Sequence, residues 1–184
     1  MRNFSSSGPT TGDGILIQPI SDAISFVITN TVVSNNGYVG ILYLPQSGSA
    51  TATGVIDHVV ATNNQTGISI NTSSGGGSTA VAISNSVASN NTFFGIYFFN
   101  ASAPLAGSID NTSVSGNIAT GISANGTPNV ILGRSVITAN GTGIYNSGNS
   151  TKFYSYQDNR INGNGTSTAD DVAGTALNHG FSLQ

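Results

Sequence analysis

A Gly-Ile pair recurs six times along this chain, at Gly14-Ile15, Gly40-Ile41, Gly67-Ile68, Gly95-Ile96, Gly121-Ile122 and Gly143-Ile144, at intervals of 26, 27, 28, 26 and 22 residues. A period of that length marks one supersecondary unit repeated along an axis, because a lone unit cannot cover its own apolar face. A second landmark keeps step with the first: Asn36, Asn64, Asn91, Asn117 and Asn140 each precede a Gly-Ile pair by three or four residues, and Asn164 opens a last unit without one. Three places before each Asn stands Val33, Ala61, Ala88, Val114, Ile137 or Ile161. Eight places before stands Ile28, Ile56, Ile83, Ile109, Leu132 or Tyr156.

After each Gly the apolar residues alternate, as in Ile41/Tyr43 and Ile68/Ile70, the period of a strand with one buried face. Val, Ile, Thr and aromatic residues fill these stretches and Gly and Asn punctuate them, which favours strand over helix. Units of 22–28 residues must therefore stack, each strand pairing in parallel with its equivalent one coil away. Equivalent side chains then lie about 4.8 Å apart. The isoleucines form a dry ladder, each contributing roughly 1.5–3 kcal/mol by burial before entropy is counted. The asparagines are expected to pass amide hydrogen bonds up the stack while adopting the left-handed turn conformation, and the glycines to supply positive φ at the start of the strand.

The expected fold is all-β, a right-handed parallel β-helix of about six coils in one domain, residues 1–184. Residues 1–13 form a partial coil or amino-terminal cap, 14–164 the stacked coils and 165–184 a carboxy-terminal cap over the open strand edges. The handedness comes from a resemblance. Asn-Asn-x-x-Gly-Ile coils separated by Ile and Val strands, as in Asn63-Asn64 to Ile68, resemble the pectate-lyase-like superfamily of right-handed parallel β-helices. The segment from Arg2-Asn3-Phe4 through Gly12-Asp13-Gly14-Ile15 is similar to part of a coil in bacterial exported β-helix proteins of unknown role. That resemblance implies an extracellular or cell-surface location, with the signal peptide absent from this sequence. It specifies fold far better than function.

Composition narrows the partners. Charged residues make up 6% of the chain, with seven Asp, no Glu, one Lys and three Arg, so no basic cluster exists to neutralise phosphates or an anionic membrane. Nucleic acid and membrane are not expected partners. The chain contains no Cys, which removes disulfides and thiolate chemistry.

The resembled superfamily includes polysaccharide lyases and hydrolases, so the columns on which the acids and bases fall bear on catalysis. Six places before each ladder Asn stand Asn30, His58, Asn85, Asn111, Arg134 and Asp158, making Arg134 and Asp158 vertical neighbours and an expected surface ion pair. Asp57 and His58 are adjacent in a strand, so alternation sends them to opposite faces. Asp57 and Asp110 share a column two coils apart, about 9.6 Å, at the edge of an inverting glycosidase pair. Asp170-Asp171 and Asn178-His179-Gly180 resemble fragments of polygalacturonase elements, without the remaining elements or their order. No carboxylate cluster suits calcium, and no cofactor or metal is expected.

The outward residue after each Ile reads Leu16, Leu42, Ser69, Tyr97, Ser123 and Tyr145, and two places on, Leu44 and Phe99 join the same face. Tyr97, Phe99, Tyr145, Leu42 and Leu44 are the expected binding surface, for stacking on sugar rings or burial against another protein. The sequence thus points to a noncatalytic scaffold or binding module for polysaccharide or protein. Two alternatives are a lyase or hydrolase with an unassembled site, and a solenoid, monomeric otherwise, that joins end to end into a homo-oligomer.

Overall fold

The computed structural model describes residues 12–101, 103–147, 152–165, 172–174 and 176–177. Among them every regular element is a strand, and every strand pairing is parallel. They form a parallel β-solenoid of about five turns, slightly fewer than the six coils expected.

Each turn carries three strand segments. The first two belong to one ten-stranded sheet and the third to a seven-stranded sheet. In the early turns the first two segments are continuous, as β2 (Ile24–Ser34) and β4 (Ala52–Thr62). Later they separate into β6 (Thr79–Ser84) and β7 (Val87–Ser89), β9 (Leu105–Asp110) and β10 (Ser113–Ser115), β12 (Asn129–Gly133) and β13 (Val136–Thr138), and β15 (Lys152–Ser155) and β16 (Arg160–Ile161). The third segments carry the Gly-Ile pairs: β1 (Ile15–Ile17), β3 (Val39–Tyr43), β5 (Thr66–Thr72), β8 (Phe94–Asn100), β11 (Thr120–Asn125) and β14 (Thr142–Asn146). A seventh strand, β17 (Val172–Gly174), pairs with β14 by setting Val172 beside Ile144. Part of the segment expected as a cap therefore continues this sheet.

The register places Ile15, Ile41, Ile68, Ile96, Ile122 and Ile144 in one file. Five of these, from Ile41 on, are fully buried. Large and small side chains alternate to keep that interior full: Phe26 occupies the space over Gly54, and Phe98 the space over Gly107. Leu177 is buried in the same core cluster.

Two corners turn each coil, and both use the left-handed backbone region. At the first corner φ lies between 45° and 65° at Asn30, His58, Asn85, Asn111, Arg134 and Gln157. At the second it lies between 54° and 70° at Asn35, Asn63, Asn90, Gly116, Ala139 and Gly163. These second-corner residues sit immediately before the ladder asparagines, so the left-handed conformation expected of the ladder residue belongs to its predecessor.

The ladder residues do something else. Each left-handed residue interrupts the backbone pairing, so the next N–H would be buried without its carbonyl. The backbone N–H groups of Asn36, Asn64, Asn91, Asn117 and Asn140 donate to the side-chain Oδ1 of the following ladder Asn at 2.9–3.0 Å. Their Nδ2 groups donate to the same oxygens at 2.8–3.3 Å. From Asn64 on, Nδ2 also reaches a carbonyl of the preceding coil, as in Asn91 to Ala61 at 3.3 Å. One side chain thereby ties three coils, and the buried amides are satisfied.

The first corner repeats the device with hydroxyls, a ladder the sequence reading missed. Val59, Ser86, Thr112 and Ser135 donate their N–H groups to Ser86 Oγ (3.1 Å), Thr112 Oγ1 (3.4 Å), Ser135 Oγ (3.1 Å) and Asn159 Oδ1 (2.9 Å) of the next coil. The glycines of the Gly-Ile pairs likewise have a different role from that expected. None of them has positive φ. A Cβ on Gly14, Gly40, Gly67, Gly95 or Gly121 would lie 2.5–2.7 Å from the carbonyl oxygen of the next Gly in the file and 2.7–2.9 Å from a ladder Nδ2. Glycine is required here by close approach.

Candidate functional site

The outer face of the seven-stranded sheet is uneven, because its side chains differ greatly in height. Register stacks Leu16, Leu42, Ser69, Tyr97, Ser123 and Tyr145 in one column. Leu16 and Tyr145 are exposed, at 44% and 41%, whereas Leu42 is only 3% exposed. Leu42, expected on the surface, instead lies at the bottom of a notch.

That notch has a volume of about 220 Å³. One wall comes from the turns that follow the ladder asparagines, where the chain stacks through Gln65 N–H to the Tyr38 carbonyl at 2.9 Å and Phe93 N–H to the Gln65 carbonyl at 2.8 Å. The strands supply Leu42, Ser69, Asn71 and Tyr97, and Leu44 follows directly after β3. The small Ser69 lies in register with the tall Tyr97, and Asn71 with Phe99, so a low coil adjoins a high one. Tyr38, Gln65, Phe93 and Phe94 were missed as site residues. Tyr38, Phe93 and Phe94 left a signal in the sequence, as aromatic side chains in or just after turns that elsewhere hold Gly, Thr and Ala, whereas Gln65 left none.

Four aromatic rings run in file along the high coil. Phe93 and Phe94 have ring centroids 4.1 Å apart, Phe94 and Tyr97 stack at 4.8 Å, and Tyr97 and Phe99 stack at 5.9 Å with planes 18° apart. Tyr97 thus lies between two other rings and presents its edge and hydroxyl, in place of the open stacking face expected of it. The hydroxyl bonds Asn125, and burial pushes its pKa above the usual phenol value. Phe93, 50% exposed, offers a more open ring. Tyr145 stands two coils from Tyr97, about 9.6 Å along the stack, and does not line the notch.

The acids and bases gather elsewhere, along the first corner. His58 has a φ of 51°, so alternation fails there and its side chain turns back on Asp57, with Nδ1 2.6 Å from Oδ2. The two side chains expected on opposite faces are partners. Asp57 Oδ1 also accepts from Ser84 Oγ at 2.6 Å and Asn85 Nδ2 at 2.8 Å, and Asn111 Nδ2 donates to Asn85 Oδ1 at 2.7 Å. Hydrogen bonds from Ser84, Asn85 and His58 lower the Asp57 pKa to about 2. This carboxylate is held as an acceptor, with every donor aimed at its charged form.

Arg134 pairs with Asp110, not with Asp158. Its Nε donates to Asp110 Oδ1 at 2.9 Å and a second guanidinium nitrogen bonds Oδ2. Asp158 accepts the Arg134 backbone N–H at 2.9 Å. The corner of the last turn holds one extra residue: Gln157 takes the left-handed position, which shifts Asp158 out of the column. Asp57 and Asp110 do share a column, through Ser84. Among the described residues no group of three or more His, Cys, Asp or Glu could hold a metal ion. Asp170-Asp171 and Asn178-His179-Gly180 lie outside the described residues.

The sequence matches the family model for a right handed beta helix region over residues 11–182. The chain belongs to that family. Comparison with curated proteins gives no match, nor does comparison with solved structures. The parallel stacking of the strands agrees with that assignment.

This β-helix also carries a broad trough on the other sheet, where the connecting loops meet β4, β6, β9 and β12. Its volume is about 520 Å³, with Thr51, Ala80, Pro104, Leu105, Thr127 and Lys152 among its lining. A shallower extension of about 360 Å³ continues past Ala82, Ser108 and Ile131. The Ala, Thr and Pro of this lining gave no sequence signal for a trough.

Proposed function

We propose that this β-helix is a noncatalytic binding module that contacts a glycan through the notch on its Gly-Ile sheet. The observation that carries this reading is the lining itself. Phenol, amide and hydroxyl groups of Tyr97, Gln65, Asn71 and Ser69 stand beside the apolar surfaces of Phe93, Leu42 and Leu44. A sugar ring has the same mixture, with an apolar C–H face and a rim of hydroxyls that both donate and accept.

The acids favour binding over cleavage. Asp57 is saturated by three side-chain donors, and Asp110 is paired with Arg134. Glycoside hydrolysis asks for one carboxyl to donate a proton beside another left free to attack or activate water, whereas both carboxyl groups here are engaged by neighbouring side chains. The test is a polysaccharide pull-down and glycan array with Phe93→Ala and Asn71→Ala as controls, run beside reducing-sugar and ultraviolet product assays on the same polymers. Retention that the substitutions abolish, without product formation, supports the proposal. Cleavage at a rate unaffected by the notch substitutions overturns it.

A further inference from the structure

Resting on that reading of the notch, we infer that its ligand is an uncharged pyranose, engaged as a single ring, and that the site discriminates against uronic acids. Its lining contains no Asp, Glu, Lys, Arg or His: polar contact is left to Tyr38, Gln65, Thr66, Ser69, Asn71 and Tyr97. A uronate carboxylate seated there would lose hydration with no cation in return, and burying an unpaired charge is costly. The described cations stand on the other sheet or its corner: Lys152 in β15, Arg160 in β16 and Arg134 at the first corner.

Size limits the ligand as well. About 220 Å³ is below the roughly 300–1,000 Å³ of sites for drug-sized ligands, and is on the scale of one ring and its rim.

The experiment is saturation-transfer NMR and titration on the whole chain with matched methyl pyranosides: glucose, galactose and mannose against their uronic acid counterparts. Each pair shares a ring and differs by one carboxylate. At least one neutral glycoside should bind about tenfold or more tightly than its uronate. Phe93→Ala should abolish that binding with the circular dichroism spectrum unchanged. Gln65→Lys, at an exposed turn position, should raise uronate affinity by supplying the missing cation. Uronates binding as well as neutral sugars, with Phe93→Ala abolishing both, would overturn the neutral-ring inference and leave glycan binding standing. Absence of binding by every pyranoside to the folded protein would overturn both.

Discussion

Replacing Asn91 by Ala tests the ladder where its loss is easiest to work out. Four side-chain hydrogen bonds disappear: Asn64 N–H to Asn91 Oδ1 (3.0 Å), Asn64 Nδ2 to the same oxygen (3.3 Å), Asn91 Nδ2 to Asn117 Oδ1 (2.9 Å) and Asn91 Nδ2 to the Ala61 carbonyl (3.3 Å). Two partners keep a second contact, since Asn64 Nδ2 still reaches the Val33 carbonyl and Asn117 Oδ1 still accepts the residue 91 N–H. The Asn64 N–H loses the acceptor that stands in for the backbone pairing. A buried unpaired N–H costs about 1–3 kcal/mol, and the best of the remaining bonds about 1 kcal/mol more. The expected loss is therefore about 2–4 kcal/mol, which with an m-value near 2 kcal/mol/M lowers the urea midpoint by about 1–2 M.

Asn91→Asp separates hydrogen bonding from volume. The carboxylate keeps the acceptor and loses the donors, so the buried charge faces Asn117 Oδ1 and the Ala61 carbonyl, and its folded pKa must rise. A group raised in the folded state contributes most below its unfolded pKa and loses that contribution as pH rises through the folded one. Asn91→Asp should therefore be relatively more stable in mild acid than at neutrality, while the Asn91→Ala deficit stays flat with pH. A deficit of less than about 0.5 kcal/mol for Asn91→Ala, the range of an ordinary surface change, would refute the reasoning.

Three further outcomes are expected. Gly95→Ala would set a Cβ 2.6 Å from the Gly121 carbonyl oxygen and 2.7 Å from Asn117 Nδ2, so it should destabilise by about 1–3 kcal/mol in urea melts, unlike an Ala→Gly change on the exposed Ala80. Ser135→Ala strands the Thr112 N–H and should cost about 1–3 kcal/mol, while Ser135→Thr, which keeps the oxygen, should be close to neutral. Asp57, lowered from 3.8 to about 2, adds stability that is present above pH 3.8 and lost as pH falls through about 2. Acid titration of stability should show a step there that Asp57→Asn removes.

How much of this could be read from the sequence differs from residue to residue. The Ile file and the Asn file were legible because stacking turns a repeat in sequence into contact in space, whatever the details of the corners. The identity of the left-handed residues was not. Asn35 and Asn36 are chemically identical neighbours, and which of them bends the chain is settled by which side chain must point inward to meet Asn64. Asp57 and His58 were misplaced for the same reason, since alternation holds only where the strand is regular and His58 sits at a corner. The single extra residue before Asn159 moved Asp158 out of line and gave Arg134 a different partner. The notch depended on relative height: Leu42 and Tyr97 share a column, and Leu42 is buried because of the taller surroundings that Tyr38 and the Phe93–Phe99 file provide.

The central claim is that equivalent residues of successive coils lie side by side, and cysteine pairs test it directly in a chain with no native Cys. Thr62 is in register with Ser89, the hydroxyls being 3.3 Å apart, and Ser89 is in register with Ser115. Disulfides need Cα atoms within about 7 Å, which one coil satisfies and two coils, about 9.6 Å, do not. Under mild oxidation the Thr62→Cys/Ser89→Cys chain should close an intramolecular bridge and Thr62→Cys/Ser115→Cys should stay reduced. Equal closure in the two chains, or closure in the second alone, would contradict the stacked register.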